Sequence, residues 1–314
     1  MRAIRVAVGV LQDATGRVLL ARRPASSHQG GLWEFPGGKC EAGETPRAAL
    51  RRELAEELGI EVVDCRPLIR VRHDYGDRRV ILDTWLVNRW FGAPEGREGQ
   101  PLEWVAGAAL AGYPMPAADR PILSALNLPQ LYAITPARIQ DEESFLRQLK
   151  ATLRQGIRLL QFRVFDSPER WRRLAARACR LCGEAGARLL VNSTPEMARR
   201  VGAHGVHLNR QRLMSPGPSG DLEGLLTAAS CHDERELHQA QTLGLDFAVL
   251  SPVLPTASHP GAEPLGWERF SQLVEPVSLP VYALGGLRPE MVGQAWRNGA
   301  QGIAGIRGLW SVRG

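Results

Sequence analysis

Apolar and polar positions alternate along residues 4–11, 18–22, 62–72, 80–90 and 102–105, the period-two pattern of half-buried strands. Between the second and third of these runs the period changes. From Thr45 to Gly59, Ala, Leu, Arg and Glu fill a helical pattern that opens with Pro46 and stops at Gly59. A second helix is predicted over 120–126, which closes a mixed sheet with flanking helices over residues 1–128. After Leu128-Pro129-Gln130 the pattern changes again. Short apolar strands at 131–135, 159–164, 188–191, 205–208, 226–230, 247–250, 281–284 and 302–306 alternate with helical stretches, among them 141–155, 168–184, 233–243 and 289–298. Eight strands with crossovers over residues 129–314 predict an α/β architecture of the compact (β/α)8, or TIM-barrel, kind. The last strand has only residues 308–314 after it, too few for a full helix, so a partner subunit or the first domain is expected to cover that edge.

Composition sharpens this picture in a few respects. Hydrophobic residues make up 44% of the 314 and charged residues 23%, a soluble profile without an apolar run near the roughly 18 residues of a membrane helix. The N-terminal residues read as a strand and lack an apolar core followed by a cleavage site, so nothing directs the chain out of the cytoplasm. Five scattered cysteines argue against a disulfide framework, and the CxxC pair Cys179 and Cys182 falls inside a helix, where buried thiols are expected. The net charge of +6 is carried almost entirely by arginine, with lysine only at 39 and 150. Arginine suits bidentate phosphate recognition. No basic block is interleaved with aromatics, so phosphorylated small molecules are favoured over nucleic acid.

The candidate chemistry centres on residues 38–60, GKCEAGETPRAALRRELAEELGI. At helical spacing Glu53, Glu56 and Glu57 project from one side and repel one another unless a cation sits among them; hard divalent ions take such oxygen ligands. Three acidic residues alone are more simply read as a solvated helix face. The glycines at 37 and 38 allow close approach of backbone to a ligand or metal, and also suit a tight turn. The full spacing, Gly38, Glu44, Arg52-Glu53-Leu54, Glu56-Glu57 and Gly59-Ile60, is that of the Nudix box, so this region resembles the Nudix hydrolases.

The likeness extends from residue 4 to residue 126, and the domain as a whole resembles the MutT-type 8-oxo-dGTP diphosphatases through AVGV, ARRP, His28, LWEFPGGK, ETP, the segment 85–90, EGQP at 98–101 and Pro121. The resemblance implies a Nudix α/β/α sandwich. It also implies Mg2+, with Mn2+ as the alternative, held by Gly37 or Gly38 together with Glu53, Glu56, Glu57 and Glu98. Arg52 and Glu44 would order these carboxylates, and substrate contacts would fall to Arg23, His28, Glu34, Phe35, Pro36, Gly37, Arg78 and Asp119. The implied reaction is attack of water on the diphosphate bridge of a nucleoside triphosphate. One position departs from the pattern. Asparagine is usual where Asp119 stands, and an ionised aspartate can only accept, whereas an amide both donates and accepts.

The second half resembles thiamine phosphate synthase and its TenI-like relatives through YAIT, Gln161-Phe162-Arg163, Val191-Asn192, GAHGVHL at 202–208, SPVLPT at 251–256, ALGG at 283–286 and GAQGIAGI at the end. The resemblance implies a phosphate cradle at Gly285-Gly286 and Gly305-Ile306, and hence a thiamine-type phosphate ligand. The family's metal-binding aspartates, however, fall at Ser193 and within Asn209-Arg210-Gln211-Arg212. Its lysines fall at Phe165 and His259, and the TenI histidine at Pro252. A barrel that has lost pyrophosphate-transfer chemistry is therefore expected, with His207 and His259 read as structural. Competing expectations are a Nudix enzyme acting on another nucleoside or thiamine-pathway diphosphate, and a barrel that senses a ligand or remains active. A homo-oligomer is compatible with the sequence.

Overall fold

The alternating runs of the first half become strands because each buries one face against a helix. In the computed structural model, which describes residues 3–215, 221–256, 261 and 263–310, β1 (Ile4–Leu11), β2 (Arg17–Arg22), β3 (Trp33–Glu34) and β4 (Gly37–Lys39) precede α1 (Pro46–Leu58). β5 (Glu61–Asp74), β6 (Arg79–Phe91), β7 (Leu102–Ala106) and α2 (Arg120–Leu126) follow. One sheet has the order β4-β1-β6-β5, with β1 parallel to β6 and antiparallel to β4; the other is antiparallel, β3-β2-β7. Ala7 and Leu11 pack with Leu50, Leu54 and Leu58 of α1, while Val8 and Val10 on the opposite face join Leu68, Val71 and, from α2, Ile122 and Ala125. Full burial of each such leucine stabilises by roughly 1.5–3 kcal/mol. The mixed sheet between two helices agrees with the expected sandwich.

α1 runs as its sequence dictates. The Thr45 side chain accepts from the Ala48 amide, and Gly59 ends the helix in the left-handed region with φ 70°. The loop that follows β6 is tied to this end: the amides of Glu95 and Arg97 donate to the carbonyls of Leu58 and Glu57, and Gln100 Nε2 donates to the same Glu57 carbonyl at 3.1 Å.

In the second half β8 (Leu131–Ile134), β9 (Leu159–Phe162), β10 (Arg188–Val191), β11 (Gly205–Leu208), β12 (Leu226–Cys231), β13 (Phe247–Leu250), β14 (Val281–Leu284) and β15 (Gly302–Gly305) form a closed parallel barrel, with β15 paired to β8. The crossovers carry α3 (Glu142–Arg154), α4 (Pro168–Glu184), α5 (Pro195–Arg200), α6 (Arg210–Leu213), α7 (Glu234–Thr242), α8 (Gly266–Val274) and α9 (Val292–Arg297). Tyr132, Leu159, Leu190, Phe247 and Tyr282 fill the interior. The edge after the last strand is covered in part by the segment that follows it, up to Trp310. Trp310 stacks on Phe145 with ring centroids 5.3 Å apart and donates to Gln148 of α3. The expected helix over 289–298 is a 3-10 turn, Pro289–Met291, followed by α9.

The chain clusters into two units, Met1–Asn127 with Pro276–Ser278, and Leu128–Glu275 with Leu279–Gly314. Among the described residues no helix is long and apolar enough to cross a membrane.

Candidate active site

Two glycines bring backbone and carboxylates together at the edge of the first sheet. Gly37 has φ 144°, and a Cβ there would stand 2.1 Å from the Ala7 carbonyl oxygen of the neighbouring strand. A Cβ on Gly38 would meet the Glu53 carboxyl carbon at 2.2 Å. The Gly37 amide donates to Glu57 Oε2 at 3.1 Å. The strand therefore abuts the acidic side of α1 with no side chain between them.

Arg52 orders that acidic side. Its Nη1 donates to Glu53 Oε1 at 2.8 Å and to Glu56 Oε2 at 3.2 Å, and its Nη2 donates to the Lys39 carbonyl and to Glu44 Oε2, each at 3.0 Å. Glu44, hydrogen-bonded to Arg52, is held below the usual carboxylate range. Glu57 behaves in the opposite way. Burial, then the like charges of Glu98, Glu53 and Glu34, push its carboxyl up to about 8, although the Gly37 amide lowers it. Glu98 is exposed on the loop tied to the end of α1, close enough to be felt at Glu57. Glu53 and Glu56 are turned to Arg52, and among the described residues no three acidic, histidine or cysteine side chains form a ready-made ligand group. The donor set is nonetheless all oxygen, and the ionised form of Glu57, disfavoured by burial and then by Glu98, Glu53 and Glu34, is the form that a hard divalent cation would stabilise.

On the other side of Gly37 and Gly38 lies a cavity of about 230 Å3. Arg23, His28, Glu34, Phe35, Arg78 and Asp119, all named from the sequence, line it together. Arg23 forms an ion pair with Glu34 and donates from Nε to the His28 carbonyl at 2.8 Å. Arg78 pairs with its neighbour Asp77 at the rim. Pro36 is not brought to the cavity; it is buried, and its carbonyl accepts from the Gly9 amide. Tyr75 and an apolar wall that includes Val6, Val8, Val80 and Leu82 were missed by sequence reasoning. Tyr75 sits in the hairpin between β5 and β6 with its ring 5.0 Å from that of His28. A hairpin aromatic carries no motif, so only the pairing of the two long strands could have pointed to it.

Asp119 is only 5% exposed. Burial, reinforced by the nearby Glu34 carboxylate and opposed by Arg23, pushes its carboxyl up to about 8. At neutral pH it therefore keeps its proton and offers a hydroxyl donor beside a carbonyl acceptor, the pair that an asparagine amide would offer.

In the barrel a cavity of about 640 Å3 opens where the strands end, lined by Gly285, Gly286, Gly305 and Ile306 together with polar side chains from several strand ends. Gly285 has φ 110° and Gly286 φ 65°, and a Cβ on Gly286 would stand 2.6 Å from the Pro255 carbonyl oxygen. His207 is fully buried, with Nδ1 3.0 Å from the Tyr132 hydroxyl and Nε2 2.8 Å from Ser230 Oγ. Burial, then the Arg163 charge, lowers it to about 3, so the ring is neutral. Cys179 and Cys182 are buried on α4, as expected, and burial raises each thiol to about 12. His259 lies outside the described residues.

Comparison with known proteins follows the same division. Residues 7–125 match the NUDIX domain and residues 131–309 match thiamine monophosphate synthase. Over 127 residues, 40% of the chain, it is 39% identical to 98% of an 8-oxo-dGTP diphosphatase of Escherichia coli (strain K12). Over 125 residues it is 40% identical to 92% of a CTP pyrophosphohydrolase of the same organism. Over 182 residues, 58% of the chain, it is 37% identical to 97% of a putative thiamine-phosphate synthase 2 of Aquifex aeolicus (strain VF5). The chain thus belongs to the Nudix family through its first half and to the thiamine monophosphate synthase family through its second: it is a Nudix pyrophosphohydrolase joined to a synthase-like barrel.

Proposed function

We propose that the first half cleaves the diphosphate bridge of a nucleoside triphosphate, with 8-oxo-dGTP as the preferred substrate and 8-oxo-dGMP and pyrophosphate as products. The observation that carries this is one continuous site: the cavity of Arg23, His28, Glu34, Phe35, Arg78 and Asp119 meets the carboxylates of α1 across Gly37 and Gly38. The base lies against Phe35 and the apolar wall. Neutral Asp119 accepts from N7–H of the oxidised purine and donates to its O6, whereas unmodified guanine offers N7 only as an acceptor. The triphosphate runs toward Glu53, Glu56, Glu57 and Glu98, which would hold Mg2+, or Mn2+, once Glu53 and Glu56 turn from Arg52. When bound, the ion neutralises phosphate oxygens and acidifies water. Arg52 and Glu44 keep the carboxylates in register, and one carboxylate of the cluster takes the proton from the attacking water.

The relative described as a CTP pyrophosphohydrolase, at similar identity, favours a second reading in which a pyrimidine nucleotide occupies the same cavity. Comparing kcat/KM for 8-oxo-dGTP, dGTP, dCTP and thiamine diphosphate with Mg2+ separates the two. The first reading requires 8-oxo-dGTP to exceed dGTP by at least about tenfold, on the order of one discriminating hydrogen bond; equal rates, or dCTP in the lead, would remove it. For the barrel, the reading is a phosphate-ligand domain without pyrophosphate transfer, which keeps the cradle of Gly285, Gly286, Gly305 and Ile306 but not the family's aspartates. A nucleotide-pool role in the cytoplasm fits the first half.

A further inference from the structure

The barrel cavity departs from its family where a metal would be held. Ser193 and the stretch 209–212 stand at the positions of the metal-binding aspartates, and among the described residues none that lines the cavity is acidic. Arg210 stands within the second of these stretches, and Arg163, from the shared Gln161-Phe162-Arg163 motif, lies at the same mouth. Arg163, Arg210, Arg288 and Arg307 all line the cavity. Arg212, on α6 behind them, donates from Nη1 to Asn192 Oδ1 at 3.3 Å, and Asn192 is itself a lining residue beside Ser193. Arg210 has a counter-charge in Glu236, which is 1% exposed and shared by Arg210 Nε at 2.5 Å and His232 Nδ1 at 2.9 Å. One buried carboxylate against four lining guanidiniums leaves the cavity strongly positive.

The neutral groups agree with the charged ones. Nδ1 of His207 is the hydrogen-bond partner of the fully buried Tyr132 hydroxyl; assigning the phenol as donor, which satisfies its buried proton, puts the proton of this neutral ring on Nε2, toward Ser230 Oγ. In that arrangement Ser230 Oγ accepts the hydrogen bond, so its own hydroxyl hydrogen is left to donate into the cavity that it lines. The four guanidiniums and Ser230 thus offer donors to the cavity, beside the amide side chains of Gln161, Asn192 and Asn209.

We infer that the barrel mouth binds a diphosphate-bearing ligand without a divalent cation, the guanidinium of Arg210, added beside the shared Arg163, neutralising the charge that a metal neutralises in the aspartate-bearing relatives. This rests on the phosphate-cradle reading of Gly285-Gly286 and Gly305-Ile306. A guanidinium is a fixed, always-protonated cation with a donor fork matched to phosphate, so no metal ligand is needed at either aspartate position.

Calorimetric titration of the full-length protein with inorganic pyrophosphate, once in EDTA and once in excess Mg2+, tests this. Saturable binding is expected in EDTA, weakened about tenfold or more by Arg163→Gln and by Arg210→Gln, as for loss of a charge-assisted hydrogen bond. Arg210→Lys, which keeps the charge, should stay within a few-fold of the parent, and Ser230→Ala should weaken binding several-fold. Binding only with Mg2+ overturns the inference but leaves the cradle. EDTA binding untouched by both glutamine variants also overturns it. No binding in either arm removes the cradle reading together with the inference.

Discussion

A carboxylic acid that keeps its proton presents the same two groups to a base edge as an amide does, and Asp119 is such an acid. Its position looks like a departure in the sequence, because residue identity alone says nothing about burial; the structure supplies the burial and the Glu34 neighbour that hold the proton. The sign of the pH dependence follows. Its folded-state pKa, about 8, lies above the ordinary value of 3.8, so the native state is favoured fully below pH 4 and loses that contribution as pH rises toward 8. Asp119→Asn should therefore raise the melting temperature at pH 8 by several degrees, with the gain shrinking toward pH 5. It should also remove a fall in kcat/KM for 8-oxo-dGTP that the parent shows above about pH 8. If both proteins share one pH profile, Asp119 is not the group that reads the base.

At this scale the site was largely legible. Arg23, His28, Glu34, Phe35, Gly37, Arg78 and Asp119 meet in one cavity, as their motif positions implied. Pro36 does not, because a motif records neighbours in sequence whereas its carbonyl is committed to Gly9. Tyr75 was invisible for the converse reason: it reaches the cavity only through strand pairing.

At the scale of elements, long periodic segments were readable and short ones were not. α1 carries its cap, its buried face and its glycine stop in thirteen residues of pattern. β3 and β4 span two and three residues, too few for any period to show, and exist because β2 and β1 offer edges to pair with. Yet β4 is what carries Gly37 and Gly38 to α1, and the two glycines should fail differently. Gly37→Ala drives a methyl group into the Ala7 carbonyl at a positive φ, a backbone conflict expected to cost about 1–3 kcal/mol and to lower the melting temperature. Gly38→Ala meets only the movable Glu53 carboxylate, so stability should stay near that of the parent while kcat falls. Thermal melts and initial rates on both variants check this. A Gly38→Ala enzyme of full activity would show that Glu53 need not lie where it does.

At the scale of the whole molecule, the change of periodicity after residue 128 marks a change of chemistry as well as of fold. The first half gathers carboxylates around glycines; the second gathers arginines around glycines. Eight strands and their crossovers were countable from the sequence. The partial covering of the final edge by Trp310 was not, because it depends on Phe145 and Gln148, more than 150 residues earlier. The account as a whole stands on the carboxylates of α1 doing the hydrolysis. The most direct measurement is Mg2+-dependent pyrophosphate release from 8-oxo-dGTP by the full-length protein and by Glu53→Gln and Glu57→Gln, each made separately. The account predicts that each substitution lowers kcat by roughly 100-fold or more, as expected for loss of a group in metal-assisted acid–base catalysis, with folding retained. Release that survives both substitutions at the parent rate would contradict it.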